Sequence, residues 1–297
     1  MTNILLFSST VLIWGTTWIA IAMQVGPVPV LVSVFYRFAA AAVLFLLVLA
    51  ATGRLTIPAP RHQPFVLAQA LCLFCCNFLC FYTAAGFVPS GLISVIFSLA
   101  TIYNAVNARL FFGDPITGRT LIAAVLGATG LVLLFGPDIV LDFDADTWKG
   151  IGLSVLGTLF FSLGNMASRR NSAAGIPPVI ANAWGMAYGA VILLTLIALT
   201  GTPVVTPPDA KYLVALLYLA AIGSVVGFTT YLMLVSRLGS SKAAYTTVLF
   251  PVVALSLSTI YEGYHWTAAG LFGLFLTLLG NVVIFTKPAP RRTPATA

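Results

Sequence analysis

The chain has 297 residues, of which 60% are apolar and only 7% charged. Soluble domains carry roughly a quarter charged residues, and one this poor in charge would have an aggregating surface, so a soluble fold is excluded. The net charge of +7 does not gather on a basic face. Lys and Arg stand singly or in pairs beside apolar runs, which speaks for membrane topology and against nucleic acid.

A membrane-spanning helix needs about 20 apolar residues. In chain order the apolar runs cover 3–23, 30–51, 64–85, 90–110, 119–136, 149–168, 177–200, 210–235, 241–261 and 267–286. The first run contains the small-x-small pattern Ala20-Ile21-Ala22, but no Lys or Arg precedes it. It lacks the charged segment of a signal peptide and is read as a retained helix. Turn chemistry separates the runs at Gly26-Pro27-Val28-Pro29, Pro58-Ala59-Pro60, Gly136-Pro137-Asp138 and Pro207-Pro208-Asp209. The third run holds Cys72, Cys75, Cys76 and Cys80. Three of them share a helix face, yet no His or carboxylate joins them there. They read as small packing residues, and no metal or other cofactor is expected.

The charges orient these ten predicted spans. With both termini in the cytoplasm, the inner side receives Arg54, Arg61, Arg109, Arg119, Arg169, Arg170, Arg237, Lys242, Lys287, Arg291 and Arg292. The outer side receives Lys149 and Lys211. Eleven against two is a strong positive-inside bias, and removing or adding one helix would scramble it. The expected location is a bacterial-type inner membrane, crossed many times.

The chain also repeats itself. Residues 77–135 slide onto 227–285 by a gapless shift of 150. Phe78 meets Phe228, Ser90 meets Ser240, Gly113 meets Gly263 and Gly130 meets Gly280. A shift of 148 pairs Pro29 with Pro177 and Thr52-Gly53 with Thr200-Gly201. Each half has five helices, an odd number, so the second half must cross the membrane in the opposite sense. The expected fold is therefore an all-α integral membrane protein of ten transmembrane helices in two inverted five-helix repeats, 1–148 and 149–286, with a cytoplasmic tail at 287–297. Inverted repeats suit alternating access, because two related arrangements open one site to either side.

Several short stretches, taken in order, resemble a known family. These are Trp14-Gly15-Thr16-Thr17, Phe35-Tyr36-Arg37-Phe38, Ser90-Gly91-Leu92-Ile93-Ser94 and Phe112-Gly113-Asp114-Pro115-Ile116-Thr117. The second half echoes them in Ser240-Ser241-Lys242-Ala243-Ala244, Leu249-Phe250-Pro251 and Glu262-Gly263-Tyr264-His265-Trp266-Thr267. The chain resembles the drug/metabolite transporter superfamily, in its ten-helix form with two EamA-like halves. Within it, the whole sequence looks most like the YddG-type amino-acid exporters. The resemblance implies efflux of small metabolites, aromatic amino acids among them. It departs from the family pattern at Thr101, where the second half has Pro251, and at Asp114, where a Glu is usual.

Candidate site residues are those polar or aromatic groups that fall inside spans, since carriers bind near the midplane between their halves. Arg37 is the one charge well inside a span. Such a charge faces the bundle or a cavity and either meets a substrate carboxylate or clamps helices from within. Trp14, Phe78, Tyr82, Tyr103, Phe161, Trp184 and Tyr245 line a cavity or pack. Asn77 and Asn165 bind the two ends of a zwitterion or join helices. Pro251 interrupts the ninth span as a gating hinge or a static kink. Neither His62 nor His265 lies deep enough for catalysis, no Walker motif offers ATP binding, and an enzyme is not expected. No carboxylate lies deep in any span, so a buried-acid proton relay is not expected. The partners are then a small molecule and the bilayer, and a monomer suffices. The single buried charge fits a zwitterion better than the alternatives in the same superfamily, drug-like organic cations or nucleotide-sugar-type anions.

Overall fold

The computed structural model of the protein describes residues 2–141, 145–238 and 246–285. Among the described residues ten helices form: α1 (Asn3–Ala22), α2 (Val30–Ala51), α3 (Pro60–Ala84), α4 (Ser90–Phe112), α5 (Gly118–Leu141), α6 (Ala145–Ala173), α7 (Pro178–Thr200), α8 (210–238), α9 (Thr246–Tyr261) and α10 (Ala268–Phe285). At 1.5 Å rise per residue, a helix of about 20 residues spans the hydrocarbon layer. Large apolar side chains such as Leu47, Leu110, Leu121, Leu199 and Ile260 face outward from the bundle. In a membrane they meet acyl chains, and no polar backbone accompanies them because helices satisfy it internally.

The helix ends are written in the sequence, and they are written twice. Pro29 and Pro177 stand just before α2 and α7 with φ of -52° and -58°. Proline fixes that φ and lacks the N–H that a first helical turn leaves unpaired anyway. Gly53 and Gly201 then end the same two helices at φ 66° and 64°. Gly113 and Gly263 do so for α4 and α9, at φ 75° and 71°. Left-handed backbone of this kind favours glycine. The start of α8 is capped by Asp209, whose Oδ1 accepts the Tyr212 N–H at 2.7 Å.

The two halves interlock. Helix α1 packs on α8 and α9 of the second half, and α6 packs reciprocally on α3 and α4 of the first. Helices α2 and α7 pair, as do α5 and α10. The last pair is the tightest. A Cβ added at Gly130 would stand 2.5 Å from the Gly273 carbonyl oxygen, and one at Gly273 would stand 2.5 Å from that of Gly130. The glycines let the two backbones touch where the repeats meet. The expected inverted-repeat bundle is what forms.

The sequence did not foretell a change of helical pitch inside α3 and α8. Helix α3 widens to a π-helix over Leu71–Cys76, and α8 does so over Tyr218–Val226. The stretch 71–76 shifted by 150 falls inside the second one. The π register carries hydrogen bonds from i to i+5 and is rare except at functional positions. Pro251 lies inside α9. The tail 287–297, Tyr245, Lys242 and the Ser240-Ser241 motif lie outside the described residues.

Candidate functional site

Between the halves, α1, α2, α3, α4, α6, α8 and α9 enclose a cavity of about 60 Å³. One wall is aromatic. Trp18 packs on Phe81, Phe97 and Phe250 at centroid distances of 5.3, 5.5 and 6.3 Å, and Phe161 meets Phe97 at 4.6 Å. Across from these, Trp14 packs on Phe228 at 5.6 Å.

The polar wall is Arg37 with Asn77. Arg37 is 3% exposed. Its Nε donates to Ser224 Oγ at 3.3 Å, and its guanidinium carbon lies 4.3 Å from the centroid of Phe78. Its Nη1 has no hydrogen-bond partner among the described residues. The two ion pairs resolved there, Arg169–Asp114 and Lys149–Asp146, lie elsewhere. A buried charge without a counter-charge is costly. The ring of Phe78 offsets only part of that, about 2 kcal/mol for a desolvated cation–π contact. Asn77 is 1% exposed, and its Oδ1 is also unpartnered. Both atoms are shut off from solvent, so a ligand reaches them only when the cavity walls part.

The structure brings Trp14, Arg37, Asn77, Phe78 and Phe161 together around this cavity. The other described candidates do not line it. Tyr82 is wholly buried behind the lining, its hydroxyl donates to Gln24 Oε1 at 2.8 Å, and the same hydroxyl faces the Arg37 guanidinium. Asn165 donates to Asn104 Oδ1 at 3.3 Å, joining α6 to α4. Trp184 is half-buried, and its Nε1 donates to the Thr56 carbonyl at 2.9 Å, pinning the loop before α3. Tyr103 is half-buried on the later part of α4, away from the lining.

Sequence reasoning missed Trp18, Phe97 and Phe250 as cavity residues. Two signals were available. Trp18 follows Trp14 by one helical turn on the same face, and Phe250 precedes the proline inside α9. The glycines of α7 and α8 receive side chains. A Cβ at Gly185 would stand 2.8 Å from the Phe74 ring, and one at Gly227 would stand 2.7 Å from Trp14 Nε1. The cysteines pack, as Cys75 Sγ donating to the Gly189 carbonyl at 3.4 Å illustrates.

Two polar ties cross between the repeats at opposite ends of the bundle. The Glu262 carboxylate after α9 accepts from Ser90 N and Ser90 Oγ at the start of α4, at 3.1 and 2.7 Å, and from Ser258 Oγ at 2.6 Å. At the other end, Arg169 of α6 holds Asp114 after α4 with bonds of 2.6 and 3.2 Å. That guanidinium keeps the Asp114 carboxyl below its ordinary range.

Two inverted five-helix repeats around a cavity inside the membrane define a secondary transporter. The EamA-like transporter family model matches residues 1–136 and again 148–286, and the chain belongs to that family. Among curated relatives, it is 26% identical to the uncharacterized inner membrane transporter YedA of Escherichia coli, over 93% of this chain and 90% of that one. It is 25% identical to protein PagO of Salmonella typhimurium over 93% of both chains. It is 24% identical to the uncharacterized transporter YoaV of Bacillus subtilis, over 94% and 96%. A crystal structure at 19% sequence identity superposes with a TM-score of 0.69 over 95% of this chain and 96% of that one, which shows the shared fold. The protein is thus a multi-pass transporter of the bacterial inner-membrane type, carrying a small molecule by alternating access between its halves.

Proposed function

We propose that this transporter exports amino acids, aromatic ones included, as the YddG-type exporters that its sequence resembles do. The carrying observation is Arg37, a buried guanidinium on the wall of an aromatic cavity, whose Nη1 has no hydrogen-bond partner and which has no carboxylate partner among the described residues. A substrate carboxylate completes that charge. Asn77 Oδ1 accepts from the substrate ammonium, and the side chain lies against Trp14, Phe78 and Phe161. A drug-like organic cation would bring a second positive charge to Arg37. A nucleotide-sugar-type anion would bring more negative charge than one arginine balances.

The two repeats are taken as 1–148 and 149–286, with both termini and the tail 287–297 in the cytoplasm, on the strength of the eleven-to-two distribution of Lys and Arg. Coupling to protons through a buried acid is not part of the proposal, because Glu262 and Asp114 lie at helix ends. Uptake and counterflow in proteoliposomes, with a panel of labelled amino acids, test this reading. Saturable flux that is indifferent to an imposed pH gradient is expected, and the absence of saturable flux for every amino acid rejects it. Pro251 sits beside cavity-lining Phe250 and is assigned the gating hinge of α9. Unchanged transport in Pro251→Ala would leave it a static kink.

A further inference from the structure

Among the described residues Arg37 donates from Nε to Ser224 Oγ, and the Tyr82 hydroxyl also faces its guanidinium. Ser224 is fully buried in the π-helical stretch of α8. Its hydroxyl donates to the Leu219 carbonyl, five residues back, at 2.9 Å. In an α-helix a serine hydroxyl bonds back three or four residues. The wider π turn brings the fifth carbonyl within reach instead. The hydroxyl hydrogen is committed to Leu219, so the oxygen has only lone pairs left to offer. One of them receives Arg37 Nε. Next to it, Gly223 lines the cavity, where a Cβ would stand 2.8 Å from Thr17 Cγ2 and in ordinary contact, at 3.8 Å, with Arg37 Nη2.

We propose that Ser224 is the positioning residue for Arg37. The π register of α8 aims its lone pair at Nε, and the Nε bond turns the Nη groups toward the cavity. Of the guanidinium's two faces of donors, this arrangement ties down the inner one and leaves Nη1 for a ligand that enters as the walls part. The inference rests on the reading of Arg37 as the carboxylate anchor. It adds that charge recognition in α2 depends on the helical register of α8 in the opposite repeat.

The test is ligand binding to the full chain in detergent, followed by quenching of the Trp14 and Trp18 emission. The probes are L-phenylalanine and L-phenylalaninamide, which lacks the carboxylate. In the unaltered protein the acid binds more tightly than the amide. Ser224→Ala is expected to weaken the acid about tenfold, the scale of one hydrogen bond to a charged group, and to leave the amide within about twofold. Ser224→Cys keeps a side chain of nearly the same size with a poor acceptor, and is expected to do the same if the alanine variant does not fold. Equal weakening of both probes, or of neither, overturns the proposal and leaves Ser224 a packing residue. Arg37→Gln separates this failure from that of the underlying reading. If it retains the preference for the acid, Arg37 is not the anchor and both ideas fall. If it abolishes the preference while the Ser224 variants keep it, only the positioning role falls.

Discussion

Helix α2 meets α8 in the same way that α7 meets α3, yet the two interfaces do opposite things. By the repeat shifts, Arg37 corresponds to Gly185, Gly223 to Leu73 and Ser224 to Phe74. In the first interface a long cation from α2 lies beside Gly223 and bonds Ser224. In the second the large group sits on the other helix, where the ring of Phe74 fills the notch at Gly185. Each interface packs one large side chain against a glycine. Close packing is therefore conserved between the halves while the chemistry is present in only one of them. Symmetry supplies two arrangements of similar energy for alternating access, and its violation at Arg37 gives the cavity a charged wall and an aromatic wall.

The sharpest way to break this asymmetry is to remove the charge. Arg37→Gln keeps amide donors and loses the cation. Truncating one partner of a buried charged pair costs about 2–5 kcal/mol, so carboxylate-dependent uptake in proteoliposomes is expected to fall about a hundredfold. A change under threefold would mean that the two interfaces are functionally equivalent.

The two glycines should then separate stability from binding. Gly185→Ala places a Cβ 2.8 Å from the Phe74 ring, deep in a packed interface. Overpacking costs about 1–3 kcal/mol, and the Tm of the solubilised protein should drop with little change in ligand affinity. Gly223→Ala places its Cβ 2.8 Å from Thr17 Cγ2, on the cavity side. Affinity for the acid should fall more than Tm does. The reverse pattern would assign the site to the α3–α7 interface.

Much of this scaffold was legible because membrane burial leaves few choices. Helix number, helix ends and the inverted repeat follow from apolar length, from Pro29 and Pro177, and from the paired glycines. Arg37 stood out because a lone charge in a span has few places to go. The side-chain neighbours were not legible. Trp184 and Tyr82 lie in spans as Trp14 does, but their polar atoms are tied to Thr56 and Gln24. Only the rotation of each helix about its axis decides which aromatic faces the cavity, and uniformly apolar helices carry little amphipathic signal to fix it. The π stretches were equally hidden, since a run such as Leu71–Cys76 has no composition that distinguishes i+5 from i+4 bonding.

Tyr82 offers a smaller effect on the first-repeat side of the cavity. Its hydroxyl is the partner of Gln24 Oε1 and faces Arg37, while Gln24 Nε2 has no partner among the described residues. Tyr82→Phe leaves the Gln24 amide, 1% exposed, with no hydrogen bond from this source. The cost is about 1–3 kcal/mol, read as a lower Tm, and transport should change less than in Arg37→Gln. A loss of transport equal to that of Arg37→Gln, with unchanged Tm, would move Tyr82 into the binding machinery.

The smallest effect is expected at the tie between Arg169 and Asp114. Both side chains are nearly half exposed, so solvent and salt screen the pair. The direction of its pH dependence is nevertheless fixed. Hydrogen bonds from Arg169 hold the Asp114 carboxyl below its ordinary value. A folded-state value below the unfolded one means that folding releases a proton in that range. The tie therefore contributes fully above the unfolded carboxyl value, about pH 4. Its contribution disappears as pH falls through the lower, folded value. Asp114→Asn should lower Tm slightly at pH 7, less so in high salt, and the difference from the unaltered protein should vanish in acid. The corresponding tie at the opposite end, Glu262 on Ser90 and Ser258, uses neutral donors and no cation among the described residues, so Ser90→Ala should lower Tm by an amount that salt does not change. If salt weakened both equally, the two ends of the bundle would be held by the same electrostatics, and the contrast between them would be lost.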